Sequence, residues 1–164
     1  MLARLVSSVW EPNESITWSG PCVNGLAHGR GILQRFKDGK LELYEEGEYL
    51  DGLRHGHFVY VRSDGGRFEG EFQDGKYNGA GTYTWADGRR LKSVWRHDTI
   101  GKVTYTYNNG DLYEGGWASS GPNGKGTLTL KSGETFSGTW SNGCFRQGNR
   151  TAWVATTARE CGFQ

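Results

Sequence analysis

The sequence predicts an all-β fold, an elongated single antiparallel sheet of about six tandem β-hairpins, and three observations carry that prediction. Glycine supplies 27 of the 164 residues, and tryptophan, tyrosine and phenylalanine add 7, 8 and 7, while aliphatic residues are too few for the thick core of a sandwich or an α/β enzyme. The glycine and aromatic positions recur along the chain at a nearly constant step. Within each recurrence apolar and polar residues alternate with period two, the mark of a strand with two unlike faces. A formal net charge of +1 keeps the low aliphatic content from signalling disorder.

Each unit opens with aromatic, x, Gly, x, aromatic, as in Phe68 to Phe72 and Tyr113 to Trp117. The central position falls at Gly20, Gly47, Gly70, Ser93, Gly115 and Gly138, and the ring two places on at Tyr49, Phe72, Trp95, Trp117 and Trp140. A second glycine column, Gly29, Gly56, Gly79, Gly101 and Gly124, opens the return strand, and a third, Gly39, Gly65, Gly88, Gly110 and Gly133, marks a turn. In Phe68-Glu69-Gly70-Glu71-Phe72 the rings and the glycine share one face and both glutamates the other. Asp87-Gly88, Asn109-Gly110 and Ser132-Gly133 supply the positive φ of a tight hairpin turn. Glycine inside a strand costs stability unless something covers it; here a neighbouring ring can lie across it, so glycine and aromatic columns together make a thin core. Residues 1–15 are expected to cap the array, 16–148 to form the repeats and 149–164 to cap the other end, with a last strand over Thr151 to Ala155.

The unit YEGGWASSGPNGKGTLTLKSG resembles the MORN repeat (membrane occupation and recognition nexus), whose pattern is aromatic-Glu-Gly-x-aromatic followed by Gly-x-Gly, about 23 residues long. The likeness is specific over Glu45 to Gly143, good in the repeats beginning near Phe68 and Tyr113, and frays elsewhere: Cys22 stands in an aromatic column, Glu45 replaces the first ring of its unit, Phe58 a glycine, and Ser93 the central glycine. The opening WSGPCVNGLAHGRG and the ending CFRQGN with ECGF are similar to bacterial stand-alone MORN proteins, which implies an envelope or secreted location, with the cytoplasm as the alternative. The resemblance implies a non-catalytic binding or scaffold module. Its partners would be a protein or peptide, a second copy of the chain, or an anionic lipid.

The aromatic face, Tyr49, Tyr60, Phe72, Tyr83, Trp95, Tyr105, Trp117 and Trp140, is the first candidate site, because a one-layer sheet has nothing behind it to cover every ring. The positions after the second-half glycines put Arg30, Lys102 and Lys125 in one row that could meet anionic phosphates. Repeat spacing separates those charges by more than a Debye length, and no polybasic cluster accompanies them. Nucleic acid would need a basic field that this chain lacks. His28 and His55 occupy the same column in adjacent repeats, too far apart for one metal ion, and Glu46, Glu48, Glu69 and Glu71 read as a polar face rather than an acid/base pair. No nucleophile has a neighbouring base, and neither enzyme activity nor a cofactor is expected. Cys144 and Cys161, 17 residues apart, could staple the C-terminal cap, leaving Cys22 free; the alternative is three reduced, buried thiols. Met1 to Trp10 is too short an apolar run, broken by Arg4, for a signal peptide, and no stretch approaches the ~18 apolar residues of a membrane helix.

Overall fold

A computed structural model describes residues 13–119 and 121–163. The expected N-terminal cap therefore lies almost wholly outside the described residues. The strands are β1 (Glu14–Trp18), β2 (Cys22–Val23), β3 (Leu26–Ala27), β4 (Gly29–Lys37), β5 (Lys40–Leu50), β6 (Leu53–Arg62), β7 (Arg67–Gln73) and β8 (Lys76–Thr84), then β9 (Arg90–Arg96), β10 (Thr99–Thr106), β11 (Leu112–Ala118), β12 (Gly121–Thr129), β13 (Thr135–Ser141), β14 (Cys144–Gln147) and β15 (Arg150–Trp153). Thirteen of them form one sheet in the order β1-β4-β5-β6-β7-β8-β9-β10-β11-β12-β13-β14-β15, and β2 and β3 form a separate two-stranded ribbon. Every pairing with an assigned register is antiparallel, so the tandem-hairpin architecture expected from the repeat is the one observed.

Two kinds of turn join the strands. Two-residue turns at Asp38-Gly39, Asp51-Gly52, Asp74-Gly75 and Asn142-Gly143 hold both residues at positive φ, for example 50° and 78° at Asp74-Gly75, the conformation whose twist matches a hairpin. At Asp87-Gly88 and Asn109-Gly110 only the glycine goes positive, with φ of 92° and 96°. There the preceding side chain closes the loop instead: Asp87 Oδ1 accepts from the Arg89 N–H at 3.1 Å and Asn109 Oδ1 from the Asp111 N–H at 3.0 Å.

The chain divides into two compact units. Unit one runs up to Ala86 and includes Trp95–Asp98; unit two comprises Asp87–Val94 and the chain from Thr99 onward. In unit one a row of close backbone crosses β4 to β8 through Gly31, Gly47, Phe58, Gly70 and Gly81, flanked by the row Leu33, Glu45, Tyr60, Phe68 and Tyr83. The Phe68 ring folds across the glycines: a Cβ on Gly70 or Gly81 would come within 2.7 Å of Phe68 Cζ. From Trp18 through Tyr49, Phe58 and Phe72 the rings meet edge to face, with centroids 5.1, 5.3 and 5.4 Å apart, a favoured arrangement of ring quadrupoles. Unit two repeats the scheme with Val103, Gly115, Gly126 and Gly138 beside Tyr105, Tyr113, Leu128 and Phe136. Tyr113 lies over Gly126 and donates its hydroxyl to the Gly116 carbonyl at 2.9 Å. Where Ser93 replaces the central glycine, its Oγ donates to the Lys102 carbonyl at 2.9 Å, which satisfies the hydroxyl inside the sheet.

The first repeat departs from the others. Pro21 has no N–H for a ladder, and after Ser19, whose N–H still donates to the Ile32 carbonyl at 3.0 Å, the chain leaves the main sheet to form the β2–β3 ribbon, turning at Asn24-Gly25. The last strand is shorter than Thr151 to Ala155: it ends at Trp153, and Ala155 takes a φ of 58°. There the chain leaves the sheet, its Ala155 N–H donating to the Tyr107 hydroxyl at 3.1 Å.

Candidate functional site

The eight rings of the expected binding face divide into two sets. Tyr49, Phe72, Tyr105 and Trp140 are between 1 and 3% exposed, so they pack the sheet and offer no surface to a partner. Tyr60, Tyr83, Trp95 and Trp117 are only half-buried. In unit one, Trp95 packs on Phe68 and Tyr77, and the Tyr60 and Tyr77 hydroxyls share a hydrogen bond of 2.9 Å. Burial and that hydrogen bond push the Tyr60 hydroxyl well above its ordinary pKa, so it stays neutral. In unit two, Trp117 stacks on Tyr105 at 5.2 Å.

Below the open rings of unit one lies a charged core that the repeat pattern does not announce. Glu45 occupies the column filled by Phe68 and Tyr113 in their own repeats, and it is 1% exposed. Arg54 donates to Glu45 Oε2 from Nε at 3.0 Å and from Nη2 at 2.7 Å, and the Tyr49 hydroxyl donates to Oε1. Burial acts to lower the Arg54 pKa, but the Glu45 carboxylate overrides it and the net shift is upward. Burial first, and then the Glu45 charge, drive the Tyr49 hydroxyl upward as well. The Arg54 guanidinium also lies 5.5 Å from the centre of the Phe72 ring. The missing ring at Glu45, visible in the sequence, was the available signal; its partner Arg54 carried none.

On the opposite, polar face Lys102 and Lys125 line one shallow cleft together with Glu114, Thr104, Thr127 and Thr139. Arg30 belongs to unit one, where it pairs across strands with Glu48 and lines a cleft with Glu46 and His57. Glu69 on that face is paired with Arg67 at 2.7 Å and His57 at 3.5 Å; the hydrogen bond and charge of Arg67 hold its carboxyl below the usual range. His28 approaches Asp51 at 3.4 Å. Among the described residues no three His, Cys, Asp or Glu side chains are grouped to hold a metal ion, and no helix is long and apolar enough to cross a membrane.

At the C-terminal end of unit two, Cys144 and Cys161 are joined in a disulfide and Cys22 is a free thiol. The bridge ties the segment after β15 back to β14, and beside it lies a cavity of about 670 Å³ on the aromatic side of the strands. No feature of the repeat pattern points to this cavity, because one wall is built from residues outside the repeats.

A sheet of tandem glycine–aromatic hairpins, with rings on one face and charges on the other, defines a repeat-built binding scaffold. The family model described as MORN repeat matches residues 23–41, 46–67, 68–89 and 113–135, just over half of the chain, and the protein belongs to that family. The hairpin carrying Ser93 lies between the last two matches. No curated protein matches the chain.

Proposed function

We propose that this MORN-repeat protein is a non-catalytic scaffold that takes a peptide or protein partner, or a second copy of itself, on its aromatic face. The observation that carries the reading is the division of the rings. Four are spent on packing, while Tyr60, Tyr83 and Trp95 in unit one and Trp117 in unit two keep accessible surface, and half-open aromatic residues are the anchors that interfaces favour. Anionic phospholipid is the second reading, favoured by the shared cleft of Lys102 and Lys125. It is weaker because Glu114 lines that cleft, and because in unit one the polar face carries Glu46 and Glu48 beside Arg30 and Glu69 and Glu71 on β7. Such a face repels an anionic surface, and two lysines fall short of the 4–8 basic residues that such recognition uses.

The test is site-specific photo-crosslinking in cells, with the probe placed at Trp117 on the ring face or at Glu114 on the polar face. Adducts to a protein, or to a second copy of the chain, should form from position 117 and not from 114. Adducts from 114 alone would refute the assignment of the face.

A further inference from the structure

We infer that the C-terminal cavity of unit two binds a basic side chain of an extended peptide, with Glu160 as the carboxylate that receives it. The inference rests on the peptide-binding reading above and names the chemistry of the partner residue. The cavity, about 670 Å³, is of the size that ligand sites occupy. Its floor is apolar: Leu128 and Phe136 are buried core residues of β12 and β13, with Leu130 and the Tyr107 ring beside them.

Three charged residues line the cavity, and they are not equivalent. Arg89 is already committed, its Nε donating to Asp87 at 2.6 Å and its Nη1 to the Tyr105 hydroxyl at 3.1 Å. Asp111 and Glu160 have no cationic partner among the described residues. Both Asp111 oxygens are occupied, one by the Lys131 N–H and one by the Asn109 amide, each at 2.8 Å. Glu160 differs: its Oε2 accepts from the Thr156 hydroxyl, the Thr157 N–H and the Thr157 hydroxyl, each at 2.9 Å, while among the described residues no group donates to Oε1. Those hydrogen bonds from Thr156 and Thr157 hold the Glu160 carboxyl below its usual range and therefore ionised.

The acceptor is also fixed in place. Cys161, the next residue, is bonded to Cys144 on β14, and the Ala155 N–H is anchored on the Tyr107 hydroxyl. A lysine or arginine side chain matches this arrangement in both halves, with its methylene stem over Leu128 and Leu130, beside the Phe136 ring that the Arg150 guanidinium approaches at 4.6 Å, and its head at Glu160. With Arg89 offset by Asp87, the remaining charge is negative, and an acidic peptide is disfavoured on that ground.

The experiment uses the oxidised full-length protein and two fluorescein-labelled hexapeptide amides, alternating lysine–leucine and alternating glutamate–leucine, followed by anisotropy at physiological ionic strength. The lysine peptide should bind and the glutamate peptide should not. Glu160→Gln should weaken the lysine peptide about three- to fivefold, the effect of one rim ion pair. The double variant Cys144→Ser with Cys161→Ser should weaken it further, because the wall is released. Amide shifts of the unaltered protein give a reading that needs no variant: Tyr107, Leu130 and Glu160 should move on titration. Failure of the lysine peptide to bind, equal binding of both peptides, an unchanged affinity in Glu160→Gln, or shifts confined to Trp95 and Trp117 would each overturn the site. Shifts at Trp95 and Trp117 alone would leave the aromatic-face reading standing, and the crosslinking result decides that reading separately.

Discussion

Replacing Arg54 by Met puts the buried charge of unit one to a direct test. Glu45 is fully enclosed, and Arg54, itself 31% exposed at the side chain, supplies its only ion pair among the described residues. Arg54→Met leaves the carboxylate with the Tyr49 hydroxyl alone. Breaking one partner of a buried pair costs about 3–5 kcal/mol, which for a chain of this size lowers Tm by roughly 6–20 °C. Urea unfolding followed by tryptophan fluorescence reads the change as a lower midpoint. The double variant Glu45→Met with Arg54→Met removes both charges with apolar side chains of similar length and leaves the space beside Phe58 unchanged, so its stability should return to within about 1 kcal/mol of the original, since a packed apolar replacement of a buried pair is often neutral. A single-variant cost below about 1 kcal/mol, the value of an exposed pair, would refute the claim that this charge is part of the core. So would a double variant no more stable than the single.

Gly81→Val should destabilise by about 1–3 kcal/mol, the usual cost of overpacking, because its Cβ would lie 2.7 Å from Phe68 Cζ and 3.0 Å from Trp95 Cζ3; a thermal melt reads the loss. Burial pushes the Tyr113 hydroxyl up to about 12 from 10. The neutral form is therefore favoured in the folded state, and the stability it contributes is intact below pH 10 and lost as pH rises through about 12. Chemical denaturation across that window should show a fall that is shallower in Tyr113→Phe. Sedimentation with anionic liposomes should detect no binding at physiological salt, and Arg30→Ala, Lys102→Ala and Lys125→Ala together should change nothing; retention lost in the triple variant would revive the lipid reading.

The sheet was legible because its signal is repeated. Columns such as Gly47, Gly70 and Gly115 recur in register, and a neighbouring ring explains each one by covering bare backbone, Phe68 over Gly70 and Tyr113 over Gly115. The paired turn residues Asp51-Gly52 and Asp74-Gly75 were equally present in the sequence but fall outside the glycine columns that define the repeat. Substitution is harder to read than repetition. Glu45 in place of a ring and Phe58 in place of a glycine look like two separate blemishes, yet on adjacent strands they compensate: Phe58 covers Gly47, and Arg54 neutralises Glu45. Which rings stay open was not legible either, since Trp95 and Trp140 occupy the same column and differ in burial through their neighbours: Trp140 is enclosed by Tyr113 and Phe145. The C-terminal cavity depends on a cystine and a non-repeating tail, for which periodicity offers no template.

Nearly every strand of the sheet hydrogen-bonds to the strand before or after it in the chain, the detour through β2 and β3 excepted. Each pairing therefore closes only a short loop, and the entropy of chain closure stays small from one end of the array to the other. Folding can start at any hairpin and spread by nearest-neighbour addition. Deleting or duplicating one whole 23-residue period, such as Arg67–Arg89, keeps the inward and outward positions in phase. Loss of a single residue shifts every later side chain to the wrong face, and the His97 to Gly101 stretch, one residue short, absorbs such a loss at the start of β10: the turn His97-Asp98 keeps two residues at positive φ, while Gly101 lacks the positive φ that Gly56, Gly79 and Gly124 adopt.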